Sequence, residues 1–231
     1  MLPLTRPAPA LPDDRSEPSS RALDPGRLLT RWLATAGADD LQPRLLRLSD
    51  GRVVPLPVAR WSGPVGPADE SMLARAAGPV LDVGCGPGRL TAALHRRGCD
   101  VLGLELLPAV PVLARAAGAP LLVGDVFGPV PGGWRTVLLA DGNVGIGGDP
   151  ARLLHRVRQL LAPGGRVLCE LLPYGDVAGP VRLEGLGATS AWFGWALPGP
   201  RGLRRAARSA GLVVREDWEC DGRAFAELVP S

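Results

Sequence analysis

Residues 80–90 read VLDVGCGPGRL: a short apolar run, a glycine-rich turn and the first residues of a helical pattern. The glycines Gly84, Gly86 and Gly88 let the backbone approach a ligand closely, because a Cβ atom there would clash with it. In open α/β sheets, loops of this kind follow the carboxyl ends of strands, where ligands bind. The stretch therefore predicts a strand–turn–helix unit with a binding site at the turn.

The residues after this stretch repeat the alternation of strand and helix. The predicted strands are 80–83, 101–104, 121–123, 136–140 and 166–171, and the predicted helices are 89–97, 108–117 and one that Asp149 caps and Pro150 begins. Because the strands are almost continuously apolar, they predict a parallel sheet that helices cover on both faces. Right-handed crossovers make such a sheet doubly wound.

The carboxyl-terminal residues predict an antiparallel end to this sheet. A helical pattern over 199–210 precedes two extended runs, 212–219 and 223–229, that Asp221-Gly222 joins. Because Asp-Gly favours a tight hairpin turn, the last strand is expected to run antiparallel to its neighbour. The predicted fold class is therefore α/β: a doubly wound, mostly parallel, seven-stranded sheet with a C-terminal antiparallel hairpin.

The residues before the sheet fall into two predicted segments. Residues 1–22 are rich in Pro and Ser and are expected to form a flexible tail. Residues 23–78 are expected to form a helix and a hairpin around Asp50-Gly51, in which both turn residues need positive φ. Residues 79–231 form the predicted main domain.

The composition is that of a globular protein and excludes several function classes. Hydrophobic residues make up 46% of the 231 residues, and no apolar run is long enough for a membrane span or a signal peptide, so a cytoplasmic protein is expected. All 26 basic residues are Arg, a bias typical of a high-G+C bacterial genome. The net charge of +3 argues against a dedicated nucleic-acid binder. The four cysteines lack metal-ligand spacing, so no metal site is expected.

Three acidic residues end successive predicted strands and define the expected ligand. Asp82 precedes the first glycine, where a carboxylate repels a pyrophosphate but suits a cationic amino group. A dinucleotide fingerprint G-x-G-x-x-G would need glycine at position 89, which is Arg89. Glu105 can accept hydrogen bonds from ribose hydroxyls, and Asp125 from an adenine amino group beside the backbone N–H of Val126. The alternatives are a solvated acid for Glu105 and a turn cap for Asp125.

Residues 79–171 resemble the core of a class I S-adenosylmethionine-dependent methyltransferase. DVGCGPG resembles that family's first motif, LLAPGGRVL its turn into the fifth strand, and the terminal hairpin its antiparallel seventh strand. The resemblance implies S-adenosylmethionine as cofactor and S-adenosylhomocysteine as product, with no metal. The cofactor-binding residues that it implies are Asp82, Gly84, Cys85, Gly86, Gly88, Glu105, Leu106, Asp125, Val126 and Asp141.

The acceptor side is less sharply defined by the sequence. We expect methyl transfer to a small-molecule acceptor by in-line displacement at the sulfonium methyl, with no nucleic-acid or membrane partner. The catalytic candidates are Asp141 and Asn143 after the fourth strand and Tyr174 after the fifth. A general base is needed only if the nucleophile arrives protonated, so no single catalytic residue is predicted.

Two further questions stay open at this point. The aromatic residues outside the repeats either line an apolar acceptor pocket or serve ordinary packing; they are Trp61, Trp192, Phe193 and Trp195. The alternative functions are a non-catalytic S-adenosylmethionine-binding sensor or assembly module and a nicotinamide-dependent oxidoreductase.

Overall fold

The computed structural model describes residues 22–35, 43–110, 118–173, 175–177 and 179–231. The helices are α1 (Pro25–Thr35), α2 (Val58–Trp61), α3 (Pro67–Leu73), α4 (Arg89–Arg96), α5 (Pro150–Leu160) and α6 (Pro200–Ser209), with a 3₁₀ turn at Asn143–Gly145. The strands are β1 (Leu45–Leu48), β2 (Val53–Pro55), β3 (Val80–Val83), β4 (Val101–Glu105), β5 (Leu121–Val123), β6 (Trp134–Leu139), β7 (Leu161–Leu171), β8 (Pro180–Gly185), β9 (Ala188–Thr189), β10 (Phe193–Gly194), β11 (Leu212–Cys220) and β12 (Arg223–Pro230).

Three sequence predictions fall wholly or largely outside the described residues. The tail at 1–22 is described only at residue 22. The predicted helix at 108–117 is described at residues 108–110, which form a turn. Tyr174 is also outside the described residues.

The main sheet contains seven strands in the order β11-β12-β7-β6-β3-β4-β5. Strands β3 to β7 pair in parallel with their neighbours, whereas β12 is antiparallel to both β7 and β11. The predicted mostly parallel seven-stranded sheet with a C-terminal antiparallel hairpin is therefore confirmed. The strand boundary that differs most is the start of β7, which lies at Leu161 rather than Arg166, because Leu161 already pairs with Trp134 ahead of a bulge.

Helices cover both faces of the main sheet. Helix α5 begins where predicted, since Arg152 N donates to the Asp149 carboxylate at 3.0 Å, and its buried stripe packs with α6 on one face. On the other face, Met72 of α3 and Leu90 of α4 pack against the strands. Because both faces are buried, the strands carry few polar residues.

A second, antiparallel sheet faces the carboxyl edge of the first. Its order is β10-β8-β1-β2, with β9 on β8, and β1 pairs with residues 181–184 of β8. Helix α1 packs on this sheet through Leu28 and Trp32. We call α1, α2, β1, β2 and β8–β10 the cap. The sequence pattern predicts no strand between residues 172 and 198, yet β8, β9 and β10 lie there and complete the sheet of the N-terminal hairpin.

The two Asp-Gly turns differ in conformation. Asp221 and Gly222 both adopt positive φ, at +50° and +70°, and form the expected tight turn between β11 and β12. At the first turn Gly51 has φ +88° but Asp50 does not adopt positive φ, so the prediction that both do is wrong. The physical reason is the longer loop: β1 and β2 stop pairing at Arg47 and Val53, and Asp50 instead accepts hydrogen bonds from Arg52.

The described residues also bear on membrane, metal and disulfide chemistry. None of their helices is long and apolar enough to cross a lipid bilayer. Among these same residues, no group of three or more His, Cys, Asp or Glu side chains could hold a metal ion. All four cysteines are free thiols.

Candidate active site

The glycine loop, residues 84–88, joins β3 to α4 at the carboxyl edge of the main sheet. The N–H groups of Gly84 and Cys85 both donate to Leu104 O, at 2.8 and 3.2 Å, which fixes the loop to β4. Gly86 adopts φ +53°, and a Cβ atom built there would meet nothing within 4 Å. The loop thus presents bare backbone to open space, as a ligand cradle requires.

Asp82 lies in β3 directly below this loop and is 2% exposed. Thr91 Oγ1 donates to Asp82 Oδ2 at 2.7 Å. Burial raises the pKa of Asp82 to about 6, although Thr91 and the guanidinium of Arg89 oppose the shift. A cationic group beside this carboxylate would favour its ionised form and lower the pKa again.

Glu105 ends β4 and faces the same loop with an 8% exposed side chain. Its Oε2 accepts from Gly86 N at 2.9 Å and its Oε1 from Leu107 N at 3.0 Å. Burial raises the pKa of Glu105, and these backbone donors oppose the rise. Each carboxylate oxygen keeps a second lone pair, so Glu105 can still accept two bonds from a ligand. The neighbouring Leu106 is 62% exposed.

The segment after β5 contains the third predicted acid. Asp125 is exposed, and its Oδ1 accepts from Phe127 N at 2.9 Å, the bond expected of a turn cap. Arg156 donates to Val126 O at 2.9 Å and Gly128 O at 2.7 Å, which holds the segment in place. The N–H of Val126 donates to no described residue. It is therefore available to a ligand.

A cluster of three arginines and three carboxylates lies between the main sheet and the N-terminal helices. We call it the ion cluster; its members are Arg60, Asp69, Arg89, Asp141, Glu170 and Arg223. Arg89 bridges Asp69 and Asp141, and Arg223 bridges Asp69 and Glu170. The opposite charges balance, as burial of charged groups demands.

Asp141 connects the ion cluster to the cap. It follows β6 at φ +52°, and its N–H donates to Glu170 Oε2 at 2.6 Å. Arg60 of α2 donates to one of its carboxylate oxygens at 2.9 Å, and Arg89 to the other at 2.8 Å. Both oxygens of the Asp141 carboxylate are therefore engaged by guanidinium groups.

Asn143 fixes the loop after β6 to the glycine loop. Its Nδ2 donates to Val83 O and to Gly84 O, both at 2.9 Å. Because an amide oxygen could not occupy a place between two carbonyl oxygens, these contacts settle the orientation of the side-chain amide. The Asn143 Oδ1 atom therefore points away from the glycine loop's backbone.

One cavity of about 300 Å³ joins these groups to the cap. Its sheet side is lined by nearly all the predicted cofactor-binding residues, namely Asp82, Gly84, Cys85, Gly86, Glu105, Leu106, Asp125, Val126 and Asp141. Its cap side is lined by apolar residues that include Leu29, Leu33, Leu46, Leu56, Trp61, Leu183, Phe193 and Trp195. Gly88 does not line this cavity and is instead the N-cap residue of α4, at φ +82°.

The structure also separates the remaining candidates. Asn143 lines the cavity together with Trp61, Phe193 and Trp195, whereas Trp192 is 47% exposed and lies under Arg182. Burial, with Asp82 and Glu105 nearby, raises the pKa of the Cys85 thiol, which keeps it protonated and a poor nucleophile.

Sequence reasoning missed most of the ion cluster. Arg60, Asp69 and Arg223 were not singled out, and Arg89 was noted only as a mismatch to a dinucleotide fingerprint. These residues are far apart in the chain, and no local spacing links them. The one available signal was Arg89 itself, a charged residue at the start of a helix that the alternation predicts to be covered.

Comparisons with known proteins agree with this geometry. A family model described as a methyltransferase domain matches residues 41–216. The chain is 35% identical over 100 residues to an uncharacterised methyltransferase of Mycobacterium tuberculosis, covering 42% of this chain and 40% of that protein. It is 31% identical over 97 residues to a ubiquinone biosynthesis O-methyltransferase of Xylella fastidiosa, covering 38% and 39%. These matches span about two fifths of the curated relatives' length.

Solved structures show the same fold. A SAM-dependent methyltransferase from Bacteroides fragilis, solved in complex with S-adenosyl-L-homocysteine, superposes with a TM-score of 0.70 at 21% identity, covering 90% of this chain and 95% of that one. The family model covers well over half of the chain and includes the glycine loop and β3–β7. The chain therefore belongs to the methyltransferase domain family.

Proposed function

We propose that this protein transfers a methyl group from S-adenosylmethionine to a small-molecule acceptor. The observation that carries the proposal is one continuous cavity in which the glycine loop, Glu105 and Asp125 face an apolar cap. Each of these groups lies at or just beyond the carboxyl end of a neighbouring parallel strand, the position where open α/β sheets bind ligands. Membership of the methyltransferase family supports the same assignment.

The residues on the sheet side fit the donor. Bare backbone at Gly86 leaves room for the methionine portion, and Asp82 below it suits the cationic amino group. Glu105 has lone pairs for both ribose hydroxyls. Asp125 and the N–H of Val126 can pair with the adenine, against which the exposed Leu106 can pack.

The chain's own part in the reaction is to orient the reactants and exclude water. S-adenosylmethionine supplies an electrophilic methyl group on its sulfonium when it is bound. The apolar cap closes the cavity opposite the glycine loop, so an acceptor held there is aligned and desolvated. We propose that Asp141 anchors Arg60 and Arg89 and does not act as a general base, since both its oxygens are engaged.

The predicted division at residue 78 gains a functional meaning in this proposal. Residues 79–171 provide the donor side, and the N-terminal helix and hairpin provide the acceptor side. Strands β8–β10 join the latter through β1, so the cap is built from both parts of the chain. We place this activity in the cytoplasm of a bacterium.

Calorimetric titration with S-adenosylmethionine and S-adenosylhomocysteine tests donor binding directly. We expect saturable binding, weakened at least tenfold (about 1.4 kcal/mol) by Asp82→Asn or Glu105→Gln. Asp100→Asn is the matched control, because Asp100 is exposed and precedes β4 at the opposite edge of the sheet. Absence of heat at high micromolar ligand would refute the proposal. A calorimetric titration with NADH should give no heat of binding.

Methyl transfer needs a separate assay. The protein is incubated with S-adenosylmethionine labelled on its methyl group and with a bacterial cell extract separated by size. We expect label in the small-molecule fraction, at a rate that Glu105→Gln lowers and Asp100→Asn does not. Label confined to nucleic acid or protein would refute the proposed acceptor class.

A further inference from the structure

The cap side of the cavity is built from apolar and aromatic side chains. Trp61 is the last residue of the short helix α2, and Phe193 and Trp195 meet edge to face at 6.4 Å between ring centroids. Leu33 and Leu183 complete this wall from α1 and β8. Aromatic walls of this kind favour a flat apolar ligand, which they contact through faces and edges.

The two members of the ion cluster that line the cavity already have charged partners. Asp141 and Arg89 are the members of the ion cluster that line it, and they pair with each other at 2.8 Å. The second oxygen of Asp141 pairs with Arg60, and the second terminal nitrogen of Arg89 with Asp69. A charged acceptor would find no unpaired counter-ion on the cap side among the described lining residues. Its desolvation would go uncompensated.

Asn143 lines this cavity and has one polar side-chain atom without a described partner. Both hydrogens of its Nδ2 are used by Val83 O and Gly84 O, which leaves Oδ1 as an acceptor. No described residue donates to Oδ1. Because Oδ1 is not one of the fully buried side-chain atoms that lack a hydrogen-bond partner, it retains some solvent exposure. Because Nδ2 is held by the glycine loop, Oδ1 is a fixed hydrogen-bond acceptor on the side of the amide that faces away from that loop.

We infer that the methyl acceptor is an uncharged, mostly apolar aromatic molecule whose O–H or N–H donates a hydrogen bond to Asn143 Oδ1. The inference names the substrate class of the site and rests on the proposed function for the identity of the donor. Asn143 is thereby assigned the role of aligning the attacking group. The aromatic wall supplies affinity. Charged analogues are excluded because the charged groups of the ion cluster are already paired and offer them no counter-ion.

Equilibrium dialysis against three naphthalenes tests the class without knowledge of the natural acceptor. The protein is saturated with S-adenosylhomocysteine, and the dissociation constants of 2-naphthol, 2-naphthoate and 2-methoxynaphthalene are measured. We expect 2-naphthol to bind at least tenfold more tightly than the carboxylate and at least threefold more tightly than the ether, which cannot donate. Equal or tighter binding of 2-naphthoate, or no binding of 2-naphthol, overturns the inference.

Variants test the part played by Asn143. In Asn143→Ala the preference for 2-naphthol over the ether should disappear, while Gln159→Ala, an exposed amide on α5, should retain it. A preference that survives in Asn143→Ala overturns the role of this residue. Should Asn143→Ala fail to fold, the wild-type comparison of naphthol with its ether still decides whether a donor is required.

The same experiment separates this inference from the proposed function. Loss of S-adenosylhomocysteine binding would refute the donor assignment, and the three probes would then be compared on the ligand-free protein. Because the cap wall and Asn143 are present without a donor, the order of affinities is expected to be the same there. If S-adenosylhomocysteine binds but the three probes have equal dissociation constants, the inferred acceptor class is refuted and the donor assignment is not.

Discussion

Replacement of Arg223 by Met tests whether the ion cluster stabilises the fold. Arg223 donates to both oxygens of Glu170, at 2.8 and 2.7 Å, and to Asp69 at 2.7 Å. The side chains of Glu170 and Asp69 are only 1% and 2% exposed. Their hydrogen bonds outweigh the effect of burial and hold the pKa of Arg223 above its usual value. The methionine variant therefore leaves two buried carboxylates short of a counter-ion.

The expected loss in free energy of unfolding depends on the contacts that Glu170 and Asp69 retain in this variant. Glu170 retains the N–H of Asp141 and a 3.6 Å contact to Arg60, and Asp69 retains Arg89 and the N–H of Gly66. Breaking a buried pair typically costs about 3–5 kcal/mol, and these remaining contacts place Arg223→Met near the lower end, at about 3 kcal/mol. With a urea m-value of roughly 1–3 kcal/mol/M, the unfolding midpoint falls by about 1 M or more.

Urea unfolding followed by tryptophan fluorescence measures this change. Arg204→Met is the control, because the Arg204–Asp217 pair at 3.1 Å is largely exposed and should be worth less than about 1 kcal/mol. In a double-mutant cycle, Arg223→Met with Glu170→Gln should cost less than the sum of the single changes. A cost below about 1 kcal/mol for Arg223→Met, or strict additivity, would refute the reasoning.

Three further predictions concern the cavity. Burial raises the pKa of Asp82 to about 6, and the amino group of the bound donor needs the ionised carboxylate. The affinity for S-adenosylmethionine should therefore fall as pH drops below 6. A Kd that calorimetry finds constant from pH 7 to 5 would contradict this. Thr91→Val removes the hydroxyl that lowers this pKa, so the midpoint of the fall should move to higher pH. Gly145→Ala should lower Tm by several degrees, since its Cβ would meet Ala196 O at 1.9 Å; an unchanged melting curve would show that the loop yields.

The main sheet could be predicted because its information is local. Each strand is a short apolar run next to its own turn signal, and the antiparallel end depends on the Asp221-Gly222 turn, whose two positive φ values match the preferred hairpin. The clustering of the acids at the strand ends could also be predicted, because parallel strands bring their carboxyl ends to one edge of the sheet. Asp82, Glu105 and Asp125 accordingly line one cavity.

The cap and the ion cluster could not be predicted because they are non-local. Strands β9 and β10 have two residues each, too short for periodicity, and β8 pairs with β1 across more than a hundred residues. The ion cluster likewise brings Arg60 and Arg223 to the same carboxylate, that of Asp141. Local composition also misled at Asp50-Gly51, where the length of the loop and not the dipeptide sets the conformation.

The position of β12 has a consequence for how the protein matures during synthesis. This strand lies inside the sheet, between β7 and β11, and its first residue, Arg223, holds the ion cluster together. A ribosome must therefore release residues 223–230 before the sheet and the ion cluster are complete. A nascent chain that has exposed the glycine loop but not this strand is expected to leave Asp69 and Glu170 without the counter-ion that Arg223 supplies.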